Sequence, residues 1–143
     1  DSGRSALRAA GYTGPVVSVD TFIAVINNPE LCDYSDYMAV NAHAYFDKNT
    51  VAQDSGKWLL EQIQRVWTAC DGKKNVVITE SGWPSKGETY GVAVPSKENQ
   101  KDAVSAITSS CGADTFLFTA FNDYWKADGA YGVEKYWGVL SNE

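Results

Sequence analysis

The sequence predicts an α/β fold, built on about four parallel strands with helices packed outside them. Apolar, β-branched runs at residues 16–20, 37–46, 76–80 and 115–121 alternate with helical patterns, the mark of βαβ units. Strand starts near 16, 38, 76 and 115 leave room for right-handed crossovers. Each run turns polar at its C-terminal end: Asp20, then Asn41, His43 and Tyr45, then Glu80, then Asn122 and Asp123. In α/β barrels and open α/β sheets, that end of the strands carries the catalytic groups.

Residues 1–10 read as the last turns of a helix, with Gly11 as its left-handed cap. Gly14 and Pro15 lead into the strand at 16–20, and Thr21 to Ile26 reads as a short helix closed by Asn27, Asn28 and Pro29. The second strand becomes polar and aromatic towards Phe46. Asp54 or Ser55 caps a helix over 56–70, where Leu59, Ile63, Val66, Trp67 and Cys70 follow helical spacing along one inward face. Val76 to Ile78 reads as a buried strand that stops on Glu80, and Gly82 and Pro84 then force a turn around Trp83. Ser96 caps a second helix through Cys111, with Ala103, Val104 and Ile107 inward. The last strand, 115–121, ends in Asn122, Asp123, Tyr124, Trp125 and Lys126, and a Gly- and aromatic-rich tail follows.

At 143 residues the chain has the length of one ordinary domain, and 44% hydrophobic content suits a packed core. A net charge of −6 argues against nucleic acid or an anionic membrane as partner, and no apolar run approaches the roughly 20 residues of a membrane span. The opening at Asp1 without Met is expected of a mature or trimmed product. Cys32, Cys70 and Cys111 each precede a strand, which puts them at the face opposite the polar strand ends. Cys32 can pair with Cys70, or Cys70 with Cys111, leaving one thiol over. Their spacing and the single His predict no metal site, and no cofactor fingerprint is present.

Several chemistries are excluded. There is no Gly-x-Ser-x-Gly elbow to serve a serine nucleophile. Gly82 to Gly87 has phosphate-loop glycine spacing, but Glu88 stands where the Lys must be and Pro84 removes a cradling N–H. What remains is carboxylates among aromatics, with 13% aromatic residues in the chain. Sugar rings stack on Trp and Tyr, and glycoside hydrolysis needs two carboxyl groups, one of which Glu80 can supply as nucleophile. The plainer account makes Glu80 a strand cap and Trp83 a core residue.

Val77-Ile78-Thr79-Glu80-Ser81-Gly82-Trp83-Pro84 resembles the signature of family 17 glycoside hydrolases, the β-1,3-glucanases. Asn41-Ala42-His43-Ala44-Tyr45-Phe46 resembles that family's sixth strand. Phe121-Asn122-Asp123, Lys126 and Glu134-Lys135-Tyr136-Trp137-Gly138-Val139 resemble its last strand and closing segment. The wording of the whole chain is most similar to the fungal cell-wall members. The resemblance implies a secreted, wall-located protein and a (β/α)8 TIM barrel, of which residues 1–143 form the C-terminal half, strands five to eight. It implies that Glu80 is the nucleophile and that Asn41, His43, Tyr45 and Trp83 contact β-glucan, with Asp123, Lys126 and Glu134 beside the site. The family's general acid/base Glu belongs to strand four, which this sequence lacks, so a complementary N-terminal half is the expected partner and the chain alone is expected to be inactive. A non-catalytic glucan-binding or wall-structural module is the alternative that the aromatic content also suits.

Overall fold

The computed structural model describes residues 2–140. Four strands, β1 (Val19–Thr21), β2 (Met38–Asn41), β3 (Val76–Ser81) and β4 (Thr115–Leu117), form one sheet in the order β1-β2-β3-β4. Every neighbouring pair is parallel, as the alternation of strands and helices requires. The helices are α1 (Ser2–Ala9), α2 (Phe22–Asn27), α3 (Ser55–Ala69) and α4 (Lys97–Cys111).

The helix starts follow from their caps. Thr21 Oγ1 accepts the Ala24 N–H at 3.2 Å, and Ser96 Oγ accepts the Asn99 N–H at 3.0 Å, so each satisfies a donor that the first turn leaves free. Asp54 precedes α3 without making such a bond. Gly11 takes the positive φ of 87° expected beyond α1. On α3, Leu59 and Val66 are fully buried and Cys70 nearly so, but Trp67 is 46% exposed and leaves the inward face assigned to it. On α4, Ala103 and Ile107 are fully buried and Val104 half-buried.

Three of the expected strands are shortened, and for the first and the last hydrogen bonding shows why. At 16–18 the Val16 N–H donates to Asp36 Oδ2 at 2.6 Å and the Ser18 N–H to Ser35 Oγ at 3.2 Å. Side chains thus take the donors a strand ladder would use. At 118–121 the chain leaves the sheet for the tail: Thr119 donates to the Trp137 carbonyl at 3.1 Å, and Val139 and Leu140 donate back to Thr119 and Ala120 at 2.9 Å. Beyond Asn41, residues 44–46 wind into a 3₁₀ turn rather than extending β2.

The core has two parts. Met38, Val40 and Ile78 of the sheet pack against Leu59, Val66 and Ile107 of the helices. Each such side chain contributes about 1.5–3 kcal/mol by leaving water. A second cluster caps the C-terminal ends of the strands, where Tyr45, Trp83, Val133 and Trp137 meet Ala52 and Ala103. The disulfide joins Cys32 to Cys70, resolving the pairing, and Cys111 is the free thiol.

Candidate active site

Glu80 is the next-to-last residue of β3, and the register of the sheet decides its neighbour. Between Val40 and Asn41 the β2–β3 pairing shifts, so that Asn41 stands opposite Glu80. The Ala42 N–H donates to the Glu80 carbonyl at 2.9 Å, carrying the backbone alignment one residue further. Two residues on, Gly82 lies where its neighbour leaves no room. A Cβ there would stand 2.1 Å from the Phe118 carbonyl oxygen, so glycine is what lets β3 and the chain after β4 close together.

The carboxylate is half-buried at the rim. His43 Nε2 lies 3.4 Å from its Oε2, and Asn41 stands opposite Glu80 in the strand register. Asn41 Oδ1 in turn accepts the Thr79 hydroxyl at 2.7 Å. The hydrogen bond from His43 is the largest influence on Glu80 and lowers its pKa. Partial burial opposes it, and electrostatic attraction to His43, then to Lys126, and a smaller contribution from Asn41 add to the lowering. The net result is a carboxyl group held below its ordinary value, hence an anion over a wide pH range.

Lys126 forms an ion pair with Asp123 at 2.8 Å, and its Nζ lies 5.0 Å from the Phe118 ring centroid and 5.6 Å from that of Trp125. Asp123 is held below the usual carboxylate range, first by the Lys126 hydrogen bond. Glu134 packs its Cγ where a side chain at Gly129 would need to be, and it is not among the groups acting on Glu80. Asn41, His43 and Lys126 therefore converge on Glu80, with Asp123 joined through Lys126, while Glu134 stands apart.

Two expected sugar contacts are corrected. Trp83 is 0% exposed, with its indole N–H donating to the Val94 carbonyl at 3.0 Å, and its own carbonyl accepts from Gln100 Nε2 at 2.8 Å. Tyr45 is also 0% exposed; its hydroxyl donates to the Glu88 carbonyl at 2.7 Å, and burial pushes its pKa up to about 12. Both rings are covered because the closing segment lays Trp137 and Val133 over the strand ends. They support the rim from beneath and present no face to a sugar.

Other residues of the site were not singled out by their sequence. Thr79 fixes the Asn41 amide, and Phe118 and Trp137 contact the His43 ring. Strand alternation puts Thr79, one position from Glu80, on the opposite face, and only the β2–β3 pairing brings it to Asn41. Phe118 and Trp137 reach His43 through long-range pairing that no local pattern carries. Trp125, 82% exposed beside Lys126, and its neighbour Tyr124 are aromatic surface that the rim does offer to solvent. A cleft of about 660 Å³ borders His43 and Phe46 and runs between α2 and α3, past Trp58 and Arg65; Glu80 does not line it. Among the described residues no group of His, Cys, Asp and Glu is arranged to hold a metal ion, and no helix is long and apolar enough to cross a membrane.

Residues 1–138 match the BtgE/BtgC glycoside hydrolase domain. The chain is 99% identical over all its 143 residues to a probable family 17 glucosidase of Saccharomyces cerevisiae, of which it covers 37%. It is 75% identical over 142 residues to a cell surface mannoprotein of Candida albicans, covering 38% of that protein. The chain thus spans little more than a third of the length of these relatives. The fold is similar to that of a family 17 β-1,3-glucanosyltransferase from Rhizomucor miehei, with a TM-score of 0.80 at 24% identity. That likeness covers 98% of this chain and 50% of the other, so the four parallel strands and their helices correspond to half of the solved fold. An active-site mutant of the same transferase in complex with laminaritriose is similar to the same degree.

Proposed function

The chain belongs to the BtgE/BtgC glycoside hydrolase family, and from that premise we propose that it supplies strands five to eight of a retaining enzyme acting on β-1,3-glucan, with Glu80 as nucleophile. The observation that carries this reading is the Glu80 carboxylate at a strand's C-terminal end, kept anionic by His43, Asn41 and Lys126. A nucleophilic carboxylate must be ionised before it meets an anomeric carbon, and these donors favour that state.

In the reaction, a Glu80 oxygen forms a bond to the anomeric carbon while the glycosidic bond breaks. The leaving oxygen takes its proton from a carboxylic acid of the complementary N-terminal half, about 5–5.5 Å from Glu80 as retention requires. The same acid, now a carboxylate, then removes a proton from an incoming water or sugar hydroxyl, whose oxygen displaces Glu80. Water gives hydrolysis and a sugar gives transfer; the covalent glycosyl-enzyme is common to both. Asn41, His43, Asp123 and Lys126 line the approach, and Glu134 takes no part in it. The protein would act at the cell surface, within the wall whose glucan it processes, a location suggested by the Candida relative's name.

The half sheet by itself holds one member of the catalytic pair, so turnover is expected only when the complementary half is docked. The second reading, a glucan-binding wall module, draws on the solvent-facing rings of Tyr124 and Trp125. Laminari-oligosaccharide turnover by the assembled protein separates the two, with Glu80→Gln as the comparison. The substitution is expected to abolish hydrolysis and transfer and to preserve binding. Turnover that survives it removes Glu80 from the nucleophile's role, and binding without turnover by the unsubstituted protein supports the module.

A further inference from the structure

His43 is held by its surroundings more tightly than a residue that merely brushes a substrate. Phe46, Phe118 and Trp137 meet its ring edge-on, with centroids at 6.4, 5.5 and 4.8 Å. Packing on three sides fixes the direction in which each ring nitrogen points. Nε2 points at Glu80 Oε2, 3.4 Å away, whereas Nδ1 is buried with no hydrogen-bond partner among the described residues. A neutral imidazole has one N–H and one bare nitrogen, and the partners decide which is which. Hydrogen on Nδ1 would leave a buried donor without an acceptor and turn a bare lone pair towards an anion. Hydrogen on Nε2 removes both faults.

Asn41 shows a matching device on the other side. Its Oδ1 is occupied by the Thr79 hydroxyl at 2.7 Å, so what it can offer the carboxylate is an amide N–H, and its influence lowers the Glu80 pKa. Resting on the reading of Glu80 as nucleophile, we propose that His43, as its Nε2–H tautomer, is a positioning residue that anchors one Glu80 oxygen and leaves the other free to attack. No proton passes through His43 in either half of the reaction. In the covalent intermediate the anchored oxygen becomes the ester carbonyl and still accepts the same N–H. Apo distances of this kind are commonly long and tighten in the substrate complex.

The groups facing the Glu80 carboxylate are His43 and Asn41 from the end of β2 and Lys126 from the segment after β4. Replacing His43 therefore removes the largest influence that keeps Glu80 ionised, and the acid limb of kcat/KM moves to higher pH.

The test compares His43→Leu, His43→Asn and His43→Gln in the protein assembled from both halves, on a laminari-oligosaccharide. A Gln amide reaches the Nε2 position, whereas an Asn amide reaches only the Nδ1 position. His43→Leu and His43→Asn are expected to lose about 10²-fold in kcat with little change in KM, the scale of a misplaced catalytic group. Both should shift the acid limb upward, and His43→Gln should recover most of the rate and the original limb. A Gln variant no better than the Asn variant, or an unmoved acid limb in all of them, overturns the proposal. Turnover that persists in Glu80→Gln instead overturns the nucleophile reading beneath it. ¹⁵N shifts of the single His of this chain, labelled in the assembled protein, read the tautomer without any substitution: the N–H must fall on Nε2, and an Nδ1–H tautomer refutes the assignment.

Discussion

Gly82 fixes how near the strand end of Glu80 can come to the chain that closes over it. The Phe118 N–H donates to the Ser81 carbonyl at 2.8 Å, and the Phe118 carbonyl occupies the space of an absent Cβ on Gly82. Both partners are backbone, so an added methyl group cannot be relieved by a rotamer change. Gly82→Ala is expected to destabilise by about 1–3 kcal/mol, the range for overpacking a tight site. A lower denaturant midpoint with an unchanged slope will show it, and a midpoint within error of the parent would mean that the 118 segment yields freely. Trp83, next in the chain, illustrates a different limit. An aromatic in a turn beside a carboxylate suits sugar stacking on composition alone. Here the ring is enclosed by Tyr45 and other side chains of the second core cluster, with its N–H taken by Val94. Its local sequence contains nothing of Val133 or Trp137, the tail residues that complete that cluster.

Among the elements, α1 is held by an unusual means. It buries no residue, and Arg4 ties it down instead, with its guanidinium donating to both Asp36 carboxylate oxygens at 2.9 and 3.0 Å and to the Val16 and Tyr34 carbonyls. The Arg4 bond, followed by that of the Val16 N–H, holds the Asp36 carboxyl below its ordinary value of 3.8. A group ionised more readily in the folded chain than in the unfolded one stabilises the fold above its ordinary pKa. That contribution is lost as pH falls through the lower folded value. Protection of the α1 amides, taken as exchange relative to the intrinsic rate at the same pH, is therefore expected to fall below about pH 4, and Arg4→Met should lower it at neutral pH too; unchanged α1 protection in that variant would show that the strap is idle. The disulfide acts at the same scale. It closes a separation of 38 residues between the 3₁₀ turn Pro29–Tyr34 and the end of α3. Paired Cys32→Ala and Cys70→Ala substitutions should lower unfolding stability by about 2–4 kcal/mol. Cys111→Ser should change it far less, and equal losses would count against the crosslink. Helix positions were legible in the sequence because caps such as Ser96 and spacings such as Leu59 to Val66 act within a few residues. Strand ends were not, because Asp36 and Ser35 intercept the backbone of 16–18 and the tail intercepts Thr119 and Ala120. The same distance-dependence divides the site. Glu80 is legible at the end of its own strand, whereas its clamp depends on the β2–β3 register shift and on Phe118 and Trp137.

At the scale of the whole molecule, β1 and β4 each have a single neighbour, so both margins of the parallel sheet keep unpaired backbone groups among the described residues. Parallel sheets are found buried on both faces, and bare edges invite association. The apolar surface follows the same margins: Val19 on β1, Phe116 and Leu117 on β4, and Phe121 beyond it are all exposed. A four-stranded sheet with these edges matches half of a glucanosyltransferase chain, and a second set of strands added at both margins would pair the edges and cover the rings together. Mixing this chain with the remaining portion of its Saccharomyces relative tests that closure directly. Amides of 19–21 and 115–117 are expected to exchange slowly in the mixture and fast in the chain alone, and a one-to-one complex should replace self-associated material. Turnover of laminari-oligosaccharides should appear with that protection. Edge amides that stay fast in an active mixture would mean that the site is completed without closing the sheet, and the half-barrel reading of the margins would fall while Glu80 kept its role.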